Sequence, residues 1–106
     1  MKKFLILKNK RDIDKLFESK DTKTIYTPPF CVKYIDASET KTLITIPKKK
    51  FKKAVDRNRL KRQVKDIYDN ISQYENKHVV IIYTSVEKLS YNEMYSVLEG
   101  IFKKIA

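Results

Sequence analysis

The chain has 106 residues, 42% of them hydrophobic, and 24 Lys and Arg against 13 Asp and Glu give a net charge of +11 with a pI near 9.7. That length supports one domain over residues 1–106 with its own core, and a single Cys (Cys31) with a single His (His78) excludes a disulfide framework or a zinc site. A domain this basic meets a polyanion: RNA, DNA or an anionic membrane.

Within the stretch Met1-Lys2-Lys3-Phe4-Leu5-Ile6-Leu7-Lys8 only four residues in a row are apolar. A signal peptide needs roughly 7–15, and no run approaches the ~20 of a membrane span. A cytoplasmic protein in a reducing compartment is expected. Asn9 as N-cap and Asp12 near the positive end of the dipole predict a helix from Lys10 to about Ser19, with Ile13, Leu16 and Phe17 as its apolar stripe.

Lys23 to Thr27 is a short β-like run ended by Pro28-Pro29. Phe30 to Ile35 is a strand, with Phe30, Val32 and Tyr34 on one face and Cys31, Lys33 and Ile35 on the other. The polar string Asp36 to Thr40 reads as a turn, returning Lys41 to Ile46 as an antiparallel partner of that strand. Pro47 closes it, and Lys48 to Lys53 is a basic loop or frayed helix start.

A long helix follows from about Ala54 to Tyr74, with Leu60, Val64, Ile67, Ile71 and Tyr74 as its buried stripe. On the helical wheel Arg57, Asn58, Lys61, Arg62 and Lys65 fall on an arc running away from that stripe, with Arg59 on the far flank. His78 to Thr84 is apolar on both faces, as in a central strand. Ser90 and Glu93 form a capping box for a last helix carrying Met94, Val97, Leu98, Ile101, Phe102 and Ile105. The order α-β-β-β-α-β-α predicts a small two-layer α+β sandwich.

Charge is concentrated in one place. Three of the four arginines, Arg57, Arg59 and Arg62, lie within six residues, and ten of the 24 basic residues fall between Lys48 and Lys65, opposed there only by Asp56. An ordinary solvated helix would mix Lys and Glu at i,i+4. Arginine forks hold phosphates and base edges in fixed geometry, where lysine is a point charge. Asn58 adds an amide that donates and accepts. Lipid is a poor match, because the apolar stripe is needed for the helix's own core.

Phe17, Phe30, Tyr34 and Tyr26 are candidates to floor a groove for stacked bases, although Phe17 and Phe30 fit a core equally well and Tyr26, beside Pro28, reads as a loop anchor. Catalytic chemistry is absent from the pattern. Asp12 and Asp14 do not share a helix face, His78 has no fixed partner in sequence, and Gly100 stands alone, with no phosphate-binding loop.

From Lys49 through Phe51, Lys52-Lys53-Ala54-Val55-Asp56-Arg57-Asn58-Arg59-Leu60-Lys61-Arg62, the chain resembles the bacterial ribonuclease P protein subunit, whose long helix begins Ala-Val-x-Arg-Asn-Arg-x-Lys-Arg after a basic lead. Element order, length and charge agree with that family. Where the family often has Gly-Asn before Ala-Val, this chain has Lys52-Lys53, and Ile13 stands where an aromatic is common. The resemblance implies a ribosomal protein S5 domain 2-like fold with a left-handed β-α-β crossover, against the usual hand. It implies that Lys49, Lys50, Lys53, Arg57, Asn58, Arg59, Lys61, Arg62 and Lys65 face a catalytic ribonuclease P RNA. It implies a cleft for the single-stranded 5′ leader of precursor tRNA, for which Ile13, Phe17, Phe30, Lys33 and Tyr34 are the candidate lining.

On that resemblance the chain carries no catalytic residue and no metal of its own. Mg²⁺ serves the holoenzyme and is held mainly by the RNA, no small-molecule substrate or membrane is involved, and the free protein is a monomer. The rival expectation is a basic structural module of ribosomes or DNA with no part in processing.

Overall fold

The computed structural model describes residues 6–71, 76–85 and 89–105. Its elements run α1 (Lys10–Glu18), β1 (Lys23–Thr27), β2 (Phe30–Asp36), β3 (Lys41–Thr45), α2 (Ala54–Ile71), β4 (Lys77–Tyr83) and α3 (Tyr91–Ile105), in the predicted order. Tyr74, expected in the stripe of α2, lies outside the described residues, as do the first five residues.

The caps act as their residue types dictate. Asn9 Oδ1 accepts from the Arg11 N–H at 2.9 Å, satisfying a donor that the first turn leaves free. At the start of α3, the Glu93 N–H donates to Ser90 Oγ at 3.2 Å and the Ser90 N–H donates to Glu93 Oε1 at 3.3 Å, the reciprocal pair of a capping box. Lys103 and Lys104 occupy the last turn of α3, where the helix dipole favours cations.

The four-stranded sheet has the order β1-β2-β4-β3. β1 and β2 are antiparallel, β2 and β4 are antiparallel, and β3 and β4 are parallel. The expected antiparallel pairing of Lys41–Ile46 with Phe30–Ile35 is therefore corrected: β4 lies between them. The polar stretch after Asp36 is not a hairpin turn but a step over the start of β4. The Ala37 N–H donates to the Asn76 carbonyl at 2.8 Å, and the Asn76 N–H donates to Thr40 Oγ1 at 2.8 Å. Asn76 takes a left-handed conformation, φ 55°, which Asn tolerates better than most residues. Lys77 Nζ binds Asp36 Oδ1 at 2.6 Å across the β2–β4 pair, and this hydrogen bond and charge hold the Asp36 carboxyl below its usual range.

β4 is buried on both faces, as its sequence requires. Val79, Ile81 and Tyr83 join Phe30 and Val32 under α2 and α3, forming the main core with Leu60, Val64, Ile67, Leu98 and Phe102. Full burial of each such side chain stabilises by about 1.5–3 kcal/mol. On the other face Val80 packs with Leu7 and Leu16, with Ile13, Ile35, Leu43 and Ile82 around them. The sheet with α2 and α3 makes the two-layer sandwich, and α1 covers part of its outer surface. Phe17 does not share the α1 stripe with Leu16; it is 49% exposed.

Candidate nucleic-acid interface

The basic lead into α2 is a fixed loop. The Pro47 carbonyl accepts from the Lys50 and Phe51 N–H groups at 3.1 and 3.2 Å. Phe51, the one apolar residue in the run, is buried against the Tyr83 ring, centroids 5.6 Å apart. From the first turn of α2, Arg57 Nη1 donates to the Phe51 and Lys52 carbonyls at 2.8 and 2.9 Å. Lys48, Lys49, Lys50, Lys52 and Lys53 are left exposed on this anchored loop.

α2 buries Leu60, Val64, Ile67 and Tyr68 and exposes Asn58, Arg59, Lys61, Arg62 and Lys65. The wheel placed these correctly and missed Tyr68. Arg57 differs from its expected role. It is half-buried and turns part of its fork inward to the loop carbonyls, so it anchors the loop as well as bordering the exposed basic face. Lys65 shares its charge with Asp69 at 3.6 Å, one turn on, a pair worth only about 0.3–0.5 kcal/mol.

On the flank towards α3, Asp56, Arg59, Leu60 and Gln63 face Leu89, Ser90, Tyr91 and Glu93 across a groove of about 460 Å³. Beside it Tyr91 donates its phenolic hydrogen to Asp66 Oδ2 at 2.6 Å. That bond to a carboxylate, which favours the neutral phenol, pushes the Tyr91 pKa up. Asp66, an acid at the end of a basic helix face, is thereby tied to the neighbouring helix.

The residues expected to line a second cleft are divided by the sheet. Phe30 is fully buried in the main core, 5.4 Å from the Tyr83 ring, and Tyr34 packs against the same core with Lys77 Nζ 5.9 Å from its ring centre. Neither shares a surface with Phe17. The reason is the strand's alternation: Phe30, Val32 and Tyr34 turn towards α2 and α3, while Cys31, Lys33 and Ile35 turn towards α1. Ile13, Phe17 and Lys33 are on the outer side, where Lys33 Nζ donates to Thr24 Oγ1 at 3.2 Å. Tyr26 pairs with Cys31 in the β1–β2 register and shares its face, 64% exposed. It is an open aromatic surface, not the loop anchor expected from Pro28. The alternation could have placed Cys31 with Lys33, but nothing local in the sequence says which face carries α1.

Fold and charge together define a small basic α+β domain whose exposed cations are concentrated on one helix and its lead-in. The family model described as Ribonuclease P matches residues 1–106. A ribonuclease P protein component from Pseudoalteromonas atlantica is 40% identical over 73 residues, 67% of this chain and 61% of that relative, so the chain spans less than two thirds of its length. One from Mycoplasma mobile is 36% identical over 92 residues, 87% of this chain and 80% of that one. Among solved structures, the ribonuclease P protein of Staphylococcus aureus superposes with a TM-score of 0.82 at 19% identity, covering 97% of this chain and 96% of that one. That of Thermotoga maritima gives 0.80 at 22%, covering 95% and 97%. The structural likenesses show the shared fold. The chain belongs to the ribonuclease P protein family.

Proposed function

We propose that this protein is the non-catalytic subunit of a ribonucleoprotein endonuclease that removes the 5′ leader of precursor tRNA. The observation that carries the reading is the continuous exposed face of Asn58, Arg59, Lys61, Arg62 and Lys65, extended by the lysines of the anchored loop. This face meets the catalytic RNA, neutralising phosphates where RNA and substrate crowd together. With about six phosphates contacted, the log–log salt slope of binding is near −4 to −5.

The outer sheet face, with Phe17, Tyr26 and Lys33, meets the single-stranded leader. Exposed aromatic rings stack on unpaired bases whatever their sequence, and the Lys33 ammonium lies among them for the backbone. The substrate carries that leader and the cleaved product does not, so contacts made here separate the two.

The RNA performs the hydrolysis. That hydrolysis needs Mg²⁺. In this reading the ion belongs to the RNA, and the protein lowers the Mg²⁺ concentration the RNA needs by supplying fixed positive charge.

Reconstitution tests the proposal: the chain is added to the ribonuclease P RNA of its own organism at low Mg²⁺, and leader removal is followed. Stimulation that disappears in an Arg59→Ala, Arg62→Ala double variant supports it. Tight duplex binding without stimulation would instead indicate a ribosome- or DNA-binding module.

A further inference from the structure

Tyr83 closes β4 and is fully buried, so it can touch no RNA, yet three parts of the molecule converge on it. The Phe30 ring meets its ring edge-on from the start of β2, centroids 5.4 Å apart at 85°. The Phe51 ring meets it from the basic lead loop at 5.6 Å and 60°. Its hydroxyl accepts from the Leu89 N–H at 3.2 Å, just ahead of the Ser90 cap of α3.

Aromatic rings prefer edge-to-face and offset contacts, and a ring held on three sides is a stiff support. The lead loop needs one. From Lys48 to Lys53 only Phe51 is apolar; the lysines around it are exposed and repel one another. The Pro47 carbonyl closes the loop on itself, and Arg57 ties it to the helix it leads into. The Phe51 ring on Tyr83 ties it to the sheet. A loop tied to α2 alone would swing with the first turn of that helix, and the second tie prevents this.

Resting on the reading of this loop as RNA-facing, we propose that Tyr83 is a positioning residue of the interface: its ring sets where the loop lysines stand relative to α2. The Arg57 fork fixes the loop backbone at one end, and the Tyr83 ring fixes its depth on the body. Lysine is a point charge on a flexible stem, so it meets a given phosphate reproducibly only where the backbone that carries it holds still. Phe30, buttressing Tyr83 from β2, belongs to the same support.

The test uses the full chain in two assays. Hydrogen exchange of the free protein follows the Lys50 and Phe51 amides, which bond the Pro47 carbonyl, with the Leu7 amide on Thr42 as a distant reference. Binding to the ribonuclease P RNA of its own organism is then measured across salt concentrations. Tyr83→Leu keeps an apolar side chain and removes the ring. It is expected to speed exchange at Lys50 and Phe51 about tenfold with Leu7 unchanged. It is also expected to flatten the log–log salt slope by about 1–2, the value of one or two phosphate contacts. Tyr83→Phe keeps the ring and gives up the bond to Leu89. It is expected to lower Tm while exchange and slope stay as in wild type.

A merely structural tyrosine would lower Tm in both variants and move neither the slope nor Lys50 and Phe51 relative to Leu7. That result overturns the positioning role, as does a Tyr83→Phe slope as flat as that of Tyr83→Leu. Where Tyr83→Leu fails to fold, Phe51→Leu reads the same contact from the loop side, with the same expected and overturning results. A wild-type slope near zero refutes the RNA-facing reading, and exchange at Lys50 and Phe51 still decides whether Tyr83 holds the loop. A steep wild-type slope that Tyr83→Leu leaves intact refutes the positioning role alone.

Discussion

Arg57 holds Phe51 by its backbone: Nη1 reaches the Phe51 carbonyl at 2.8 Å while the Phe51 ring is buried against Tyr83. One arginine of the basic cluster thus fastens the loop that carries the lysines, and its neighbours point outward. Two arginines two residues apart are therefore expected to fail differently. Arg57→Ala removes two charge-assisted hydrogen bonds and should lower stability by about 1–2 kcal/mol, the lower part of the range because the site is half open to water. Arg57→Lys keeps the charge on a shorter side chain than the one whose Nη1 makes both bonds, and should recover only part of the loss. Arg59→Ala should leave stability within about 0.5 kcal/mol and weaken RNA-subunit binding by about 1–3 kcal/mol. Thermal melts beside RNA-binding curves decide it; equal melts for Arg57→Ala and wild type would remove the anchoring role.

Phe17 and Phe30 should also separate. Phe17→Ala, at a half-exposed ring, is expected to lower affinity for leader-bearing precursor more than for mature tRNA, with little change in stability. Phe30→Ala opens a cavity in the main core and should cost about 3–5 kcal/mol of stability. Equal losses on precursor and mature tRNA for a folded Phe17→Ala would show that its ring does not touch the leader.

Gly100 lies inside α3, and a Cβ built there meets nothing within 4 Å. Gly100→Ala should stabilise the protein by about 0.5–1 kcal/mol, through helix propensity and a less flexible unfolded chain. Denaturant melts read this directly, and a destabilised variant would mean the space is not free.

Tyr91 gives an alkaline signature. Its folded pKa is raised above the ordinary value of 10.0 by the bond to Asp66. The associated stability is present below the unfolded pKa and is lost as pH rises through the folded one. Denaturant midpoints of wild type should therefore fall more steeply above pH ~10 than those of Tyr91→Phe. Parallel curves would show that the bond does not persist in solution.

The helices were legible because their signals are local. Asn9 and the Ser90–Glu93 box marked their starts, and the spacing of Leu60, Val64 and Ile67 gave the buried side of α2 and, by subtraction, its charged side. Strand order was not local. The polar residues after Asp36 have the composition of a hairpin turn, and only their bonds with Asn76 reveal a step across another strand. The hint was in β4: a strand apolar on both faces is central and needs a neighbour on each edge, which β2 and β3 supply. The aromatic candidates were left unsorted for a related reason. Alternation sorts Phe30 from Lys33 but does not say which side lies under α2 and α3. Arg57 reads like any other member of its cluster until its carbonyl partners are seen.

The position of β4 also sets the order in which the molecule is completed. It is the last strand in sequence and sits between two strands made before it. During synthesis the β1–β2 hairpin can close by itself, but the facing edges of β2 and β3 wait until Tyr83 has left the ribosome, and pairings that distant in sequence close slowly. By then the arginines and lysines of residues 48–65 have already emerged, so the growing chain can attract polyanions before it has a core on which to seat them.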